Sequence, residues 1–334
     1  MTQLTKVKLT GVGAALPAQV LSNEDLAKFL DTSDAWIYSR TGIRQRHILE
    51  ANRRITDLAV QAGKAALAQA DVTPEQVDLI LLATSTPDDL FGSAPEVQAG
   101  LGAHRAVAFD LSAACSGFVF ALVTAAQYLR TGTYRRILVI AADALSRTLD
   151  WSDRSICVLF GDGAGALLLE AEDTDKEDGL LGFELRTDGT GASLLRLEVD
   201  PSQVISPTED VTFPRQAYRT MTMNGREVYR FVASAVPEVI EKALFRSGLS
   251  LDQVDHVILH QANQRIIEAV AQRLNIAPEK MVSHIATCGN TSAASIPIAL
   301  AAEMEMGRIQ AGATLVMAGF GAGLSWGAAV VRLR

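Results

Sequence analysis

Cys115, His260 and Asn290 are the residues of this chain whose types and settings point to chemistry. Cys115 stands in Phe109-Asp110-Leu111-Ser112-Ala113-Ala114-Cys115-Ser116-Gly117-Phe118. The run Val107–Leu111 reads as a strand, small residues turn the chain, and an apolar segment through Leu129 follows. That spacing predicts a thiol at the first turn of a buried helix. Unpaired N–H groups and the positive helix end favour a thiolate there, and a thiolate is a nucleophile. His260 ends the strand-like run Val257-Ile258-Leu259. A histidine so placed is more often structural, but ligands gather at the carboxyl edges of α/β sheets. Asn290 lies in Cys288-Gly289-Asn290-Thr291-Ser292-Ala293-Ala294-Ser295. That composition suits a helix cap, yet a carboxamide can also donate a hydrogen bond without titrating.

The remaining candidates are weaker. His256 and His260 on one strand would be about 13 Å apart at ~3.3 Å per residue, and no zinc-protease glutamate accompanies them, so no metal is expected. Cys157 and Cys288 read as buried packing thiols, and His47, His104 and His284 as ordinary surface or core residues. Gly319-Phe320-Gly321-Ala322-Gly323 and Gly161-Asp162-Gly163-Ala164-Gly165 are glycine-rich turns between strands. A dinucleotide loop would lead into a helix; backbone N–H groups approaching a reacting carbonyl are the better use of the first.

An internal repeat must position these groups. Ala70–Leu82 resembles Ser247–Leu259, with Val77 and Val254 177 positions apart, and Ile137–Ile140 resembles Thr314–Met317 at the same spacing. Phe109–Gly117 has a looser counterpart in Ser283–Ser292. Two halves are expected, each alternating strands and helices. They divide as 1–172, carrying the cysteine, and 173–334, carrying the histidine and asparagine, across the acidic connector Glu170–Asp178. His260 then corresponds to Ala83, so the halves diverge at a matched strand end. A polar insert over about 200–223 reads as a loop above a site.

The bulk numbers fit an enzyme of this kind. The 334 residues are 49% apolar and 20% charged, which allows a sizeable core. A mean hydropathy of +0.18 points to further burial at a subunit interface. The net charge of −8 sets nucleic-acid binding aside. Three well-separated cysteines do not form a disulfide framework, and the N-terminus has no apolar signal core; a cytoplasmic location is expected. The uncharged windows Leu111–Leu129 and Ile309–Val331 are broken by polar residues and glycines, so neither reads as a membrane span. The first suits a helix buried on all sides, the second a strand, turn and strand.

Taken in order, these segments resemble the thiolase-superfamily condensing enzymes, and most closely the β-ketoacyl-acyl carrier protein synthase III family. The resemblance covers nearly the whole chain. It rests on Asp31–Ile37, Arg40–Arg44, Ala113–Phe118, Phe160–Ala166, His260–Asn263 and Gly289–Ser295. It implies an α/β fold, a five-layered αβαβα sandwich of two duplicated halves, in a homodimer. It implies a catalytic triad of Cys115, His260 and Asn290, with an oxyanion hole from the backbone of Cys115 and Ala322. Many relatives carry glycine where this chain has Ala322. Coenzyme A contacts fall on Trp36, Arg40, Thr41, Arg154, Gly225, Ala262 and Asn263. Phe91 matches a residue that enters the partner's acyl pocket. Arg230, Arg265 and Arg273 match a basic patch that docks the acidic carrier protein. The implied reaction joins an acyl-CoA starter, acetyl-CoA above all, to malonyl-acyl carrier protein with loss of carbon dioxide. It opens fatty acid synthesis and requires no cofactor or metal, acyl-CoA being a substrate. The alternatives are a type III polyketide synthase, a 3-hydroxy-3-methylglutaryl-CoA synthase, a condensing enzyme of secondary metabolism, a non-catalytic acyl-binding scaffold, and, from another class, a papain-like Cys-His-Asn hydrolase.

Overall fold

The computed structural model describes residues 5–172, 177–200, 202–208, 211–214 and 217–334. Its frame is two five-stranded sheets. The first runs Lys6–Ala15, Gly163–Glu172, Arg136–Asp143, Leu79–Ala83, Val107–Leu111; the second runs Leu180–Thr187, Ser325–Arg332, Thr314–Gly321, His256–Leu259, Met281–Val282. In both, the first two pairings are antiparallel and the last two parallel. The order and sense of the strands are therefore duplicated along with the sequence.

Alternation along the strands sorts side chains into layers. Leu79, Leu81, Ile137 and Val139 face a central core that Ile258, Leu315 and Met317 enter from the other sheet. Between the sheets lie two helices, Gly117–Arg130 and Ser295–Glu305, apolar on most sides because a sheet covers each face. Ile80, Leu82, Leu138 and Ile140 point outward to the helix Ile55–Gln69 and its neighbour Ala94–Leu101. Val257, Leu259, Val316 and Ala318 point outward to Gly225–Ser247 and Gln264–Leu274. The result is the expected αβαβα sandwich. The window Leu111–Leu129 is a strand end, a turn and one of the central helices, and Ile309–Val331 is strand, turn and strand. Among the described residues no helix is long and apolar enough to cross a membrane.

Two sequence expectations need adjusting. Leu79 pairs with Ile137 while His256 pairs with Leu315, so the spacing of the halves is 177 at the first strand and 178 at the second. Between the strand end at His260 and the turn at Ser292 the second half is longer by a net one residue, the connections on either side of Met281–Val282 differing in length from their counterparts, where such changes are tolerated. The polar insert is not plain loop: Val204–Thr208 pairs with Val211–Pro214, and Leu195–Arg196 with Thr222–Met223. Residues 201, 209–210 and 215–216 of that insert, and 173–176 at the boundary between the halves, lie outside the described residues.

Candidate active site

The two central helices begin at matched turns that meet. Cys115 sits in the 3₁₀ turn Ala114–Ser116, which leads straight into Gly117–Arg130. Its counterpart is Ser292–Ala294, leading into Ser295–Glu305. Each turn opens on a left-handed residue that is not glycine, Ala114 at φ 48° and Ser292 at φ 53°. Such a conformation costs on the order of 1–3 kcal/mol and is kept where a side chain must be aimed. Across the junction the Ser292 hydroxyl donates to Cys115 Sγ at 3.4 Å.

The sulfur is not a resting thiolate. Burial pushes the Cys115 thiol up to about 12, and the charge of Asp143 adds to the rise; the Ser292 bond pulls in the other direction and is outweighed. The helix start places the thiol as expected, but withdrawal from water decides its charge.

His260 follows the strand His256–Leu259, held to the next strand by its N–H on the Ala318 carbonyl at 2.8 Å. Its Nδ1 and the Ser295 Oγ are 2.8 Å apart, which leaves Nε2 for the cavity. Its ring stands edge-on to Phe320, centroids 5.0 Å apart. Burial holds its pKa down to about 3, so the imidazole is neutral. Asn290 is fixed by its backbone: its N–H donates to Leu159 O at 2.9 Å, and its carbonyl accepts from Gly161 N at 3.0 Å. The glycine-rich Phe160–Gly165 segment thus anchors the asparagine of the other half. The Asn290 Oδ1 accepts from Ser292 N at 2.9 Å. That bond settles the amide orientation and leaves the NH₂ to donate.

Cys115, His260, Asn290, Phe320 and Gly321 line one cavity of about 230 Å³. Sulfur, neutral imidazole and carboxamide converge in it from both halves. The duplication also shows where an oxyanion fits. Asp143 and Gly321 close equivalent strands, and Ala293 and Cys115 hold equivalent turn positions. In the one place the Asp143 carboxylate accepts from Ala293 N at 3.2 Å. In the other, glycine leaves the space open: a Cβ on Gly321 would lie 2.9 Å from Cys115 N and 2.8 Å from its Cβ. An oxygen at Cys115 N–H would occupy what a carboxylate fills in the sister half. Ala322 comes next in the chain and lines a second, larger cavity of about 830 Å³ that also reaches Cys115. Leu90, Leu145, Phe160, Leu195, Leu197 and Met221 make much of that second wall apolar.

The other predicted contacts divide. Arg40, Gly225, Ala262 and Asn263 line the smaller cavity. Trp36 stands outside its lining, flanked by the guanidinium groups of Arg40 at 4.5 Å and Arg154 at 5.1 Å. Thr41 is not on the cavity. It is buried, and its hydroxyl donates to Ile37 O at 2.7 Å and accepts from Ile43 N at 3.0 Å, which closes the helix Asp34–Thr41. Phe91 is 96% exposed beside Leu90 at 68%. Arg265 lines the mouth of the smaller cavity and donates to Ser39 O at 2.8 Å. Arg230 pairs with Glu227 at 2.7 Å, and Arg273 is exposed in the last turn of Gln264–Leu274. Sequence reading missed Ser292, Ser295, Gly321 and Asp143. Each acts by proximity in space, Ser295 on His260 within one half and the other three across the junction, and only the repeat spacing hinted at it.

The profile for "3-Oxoacyl-[acyl-carrier-protein (ACP)] synthase III C terminal" matches residues 244–333, and that for "3-Oxoacyl-[acyl-carrier-protein (ACP)] synthase III" matches residues 109–189. A curated relative, the β-ketoacyl-[acyl-carrier-protein] synthase III of Thermosynechococcus vestitus, is 56% identical over 327 residues, 98% of each chain. The solved 3-oxoacyl-[acyl-carrier-protein] synthase III of Aquifex aeolicus matches with a TM-score of 0.89 at 42% identity, covering 98% of this chain and 99% of that one. The priming β-ketosynthase of the R1128 polyketide pathway also reaches 0.89, at 34% identity over 100% of this chain and 98% of the other.

Proposed function

The chain belongs to the 3-oxoacyl-[acyl-carrier-protein] synthase III family, and from that premise we propose that Cys115, His260 and Asn290 carry a decarboxylative condensation that starts fatty acid synthesis. The observation that carries the reading is the single cavity holding all three side chains, with a neutral imidazole and an amide whose NH₂ is the free end.

In the first half-reaction the Cys115 sulfur attacks the thioester of an acyl-CoA, acetyl-CoA by preference. The N–H groups of Cys115 and Ala322 hold the tetrahedral oxygen, each such donor being worth about 3–4 kcal/mol. Coenzyme A departs and an acyl-enzyme remains. In the second, malonyl-acyl carrier protein enters the cavity, and His260 Nε2–H and Asn290 Nδ2–H donate to its thioester carbonyl. Carbon dioxide leaves, and the two uncharged donors stabilise the enolate oxygen away from water. The carbanion then attacks the acyl-Cys115 carbonyl, giving β-ketoacyl-carrier protein and free Cys115. This is covalent, ping-pong catalysis. The carbanion comes from decarboxylation, so the scheme calls for no cofactor.

Substrate approach follows the charges. Trp36 between Arg40 and Arg154, with Arg265 at the mouth, suits the planar base and phosphates of coenzyme A. Arg230, Arg265 and Arg273 suit an acidic carrier, and a net charge of −8 makes a local basic patch necessary for that encounter. A homodimer accounts for the bare edge strand Val107–Leu111, with Val107 49% and Phe109 38% exposed beside Phe91. A second copy would pair with that edge and take Phe91 into its larger cavity. Three buried, unpaired cysteines fit a reducing, cytoplasmic setting.

The likeness to the R1128 priming enzyme supports a second reading, a condensing enzyme of secondary metabolism with the same half-reactions and a different starter. One assay separates them: purified protein, malonyl-carrier protein and acyl-CoAs of rising chain length, with products weighed by mass spectrometry. Preference for acetyl-CoA supports the fatty-acid role, a longer or branched starter supports the second reading, and no β-ketoacyl product refutes both.

A further inference from the structure

A neutral imidazole carries one proton and can hold it on either nitrogen. At His260 only the Nε2–H form donates into the cavity; the Nδ1–H form turns a lone pair toward it. The group that meets the other nitrogen decides between them. Here that group is the Ser295 hydroxyl, 2.8 Å from Nδ1. Both residues are buried, so bulk water does not settle the matter. The Ser295 oxygen is already engaged, because it accepts the Gln261 backbone N–H at 3.2 Å. Gln261 is fixed in turn: its side chain donates to Leu259 O at 2.7 Å and accepts from His284 N at 2.9 Å. Among the described residues the Ser295 hydroxyl has one other partner, His260 Nδ1. A hydroxyl hydrogen aimed at Nδ1 satisfies both groups. The reverse arrangement, Nδ1–H on the Ser295 oxygen, leaves a buried hydroxyl hydrogen idle, and an unmade buried hydrogen bond is costly.

We propose that Ser295 is a positioning residue for decarboxylation: its hydroxyl donates to His260 Nδ1, which fixes the imidazole proton on Nε2 and aims that N–H at the malonyl thioester oxygen. The inference rests on His260 being a donor in that step. No proton moves along the Ser295 contact. Its effect is that the charge building on the enolate oxygen meets an N–H already in place rather than a lone pair.

The internal repeat carries an independent sign of this pairing. His260 corresponds to Ala83, and Ser295 to Gly117, the first residues of the two central helices. The matched positions also adjoin in the first half, where a Cβ on Gly117 would stand 3.2 Å from the Ala83 Cβ. Where the strand ends in alanine, the helix begins with glycine; where it ends in histidine, the helix begins with a hydroxyl. The two side chains are present or absent together across a contact that both halves keep. The short segment 290–295 then orients both donors by one rule. Ser292 N–H takes the acceptor end of the Asn290 amide at 2.9 Å, and Ser295 O–H takes the acceptor nitrogen of His260. In each case the N–H end is left for substrate. Phe320, edge-on with centroids 5.0 Å apart, holds the plane of the ring.

The test uses the full-length enzyme and its Ser295→Ala, Ser295→Gly and Ser295→Thr variants. Glycine is what the sister half carries at this place, so Ser295→Gly stands in should Ser295→Ala fold poorly; threonine keeps the hydroxyl. 15N NMR of enzyme labelled at its five histidines, with His260 assigned by its absence in His260→Ala, reads which ring nitrogen bears the proton. Malonyl-carrier protein decarboxylation, acetylation of Cys115 and denaturation midpoints are measured alongside. The wild-type ring is expected as Nε2–H alone. Ser295→Ala and Ser295→Gly should admit the Nδ1–H form and lower kcat for decarboxylation about 3- to 10-fold, the scale of one hydrogen bond. KM for malonyl-carrier protein and the rate of acetylation should stay within about twofold of wild type, since the lost interaction belongs to the decarboxylation transition state. Ser295→Thr should restore both the Nε2–H signature and kcat. A wild-type ring protonated on Nδ1 overturns the proposal. So does an unchanged tautomer in both Ser295→Ala and Ser295→Gly, the result expected if the Ser292 carbonyl, which also reaches the ring, places the proton instead. Equal loss of both half-reactions overturns it as well. The donor reading of His260 fails separately, if His260→Ala decarboxylates malonyl-carrier protein at the wild-type rate.

Discussion

Gly321→Ala tests the oxyanion geometry most sharply. Gly321 has φ 179° and ψ −158°, an extended backbone that alanine adopts without strain, so its effect is one of contact alone. The new Cβ would stand 2.8 Å from Cys115 Cβ, 2.9 Å from Cys115 N and 3.3 Å from Cys115 Cα. Two of these atoms are backbone in a turn already fixed by a left-handed Ala114, so nothing flexible can yield. The methyl group takes the space in front of the Cys115 N–H and displaces the developing oxygen. Removing one such donor slows acyl transfer by about 100- to 1,000-fold, while overpacking costs about 1–3 kcal/mol of stability. Gly319→Ala is the control. Its Cβ would meet Ser116 Cα at 2.9 Å and Val119 Cγ2 at 3.3 Å, straining the same turn from behind without facing Cys115 N. Single-turnover acetylation of Cys115, read by intact mass with denaturation midpoints alongside, gives the comparison. Wild-type acetylation in Gly321→Ala, or an equal loss in Gly319→Ala at matched stability, would refute the assignment of Cys115 N–H to the oxyanion.

Further outcomes follow from the same geometry. Cys115→Ala should abolish acetylation yet retain malonyl-carrier protein decarboxylation, whereas Asn290→Ala should cut decarboxylation more than acetylation; equal loss of both in Asn290→Ala contradicts the division of labour. His260 has a folded pKa of about 3 against an ordinary 6.5. The unfolded chain therefore takes up this proton first as pH falls, and stability from the neutral ring is complete above about 6.5 and lost progressively from there toward about 3. His260→Gln should flatten that acid limb in urea denaturation, and an unchanged limb counts against a neutral buried imidazole. Phe91→Glu should shift the sedimentation coefficient toward that of a monomer, and an unaltered coefficient removes Phe91 from the interface. Arg273→Glu should raise KM for malonyl-carrier protein several-fold with a weaker salt dependence and little change in kcat, as a rim charge acts on encounter; a fall in kcat alone would speak against docking.

Much of this was legible in the sequence because it is local or periodic. The run Leu79–Ala83, apolar at every position, marks a strand covered on both faces. The small-residue turn before an uncharged segment locates Cys115 at a helix start, and the repeat makes His260 stand out where its counterpart is Ala83. Tertiary structure decided what depends on distance and on water. It joined Ser292 to the sulfur, Ser295 to His260, and Leu159 and Gly161 to Asn290. It also committed the Thr41 hydroxyl to its own helix and set the spacing at the second strand to 178. The charge on Cys115 is the clearest case. Helix position alone favours a thiolate, but solvation is a property of the folded whole, and only the closed junction of the two halves shows the sulfur buried and its proton retained.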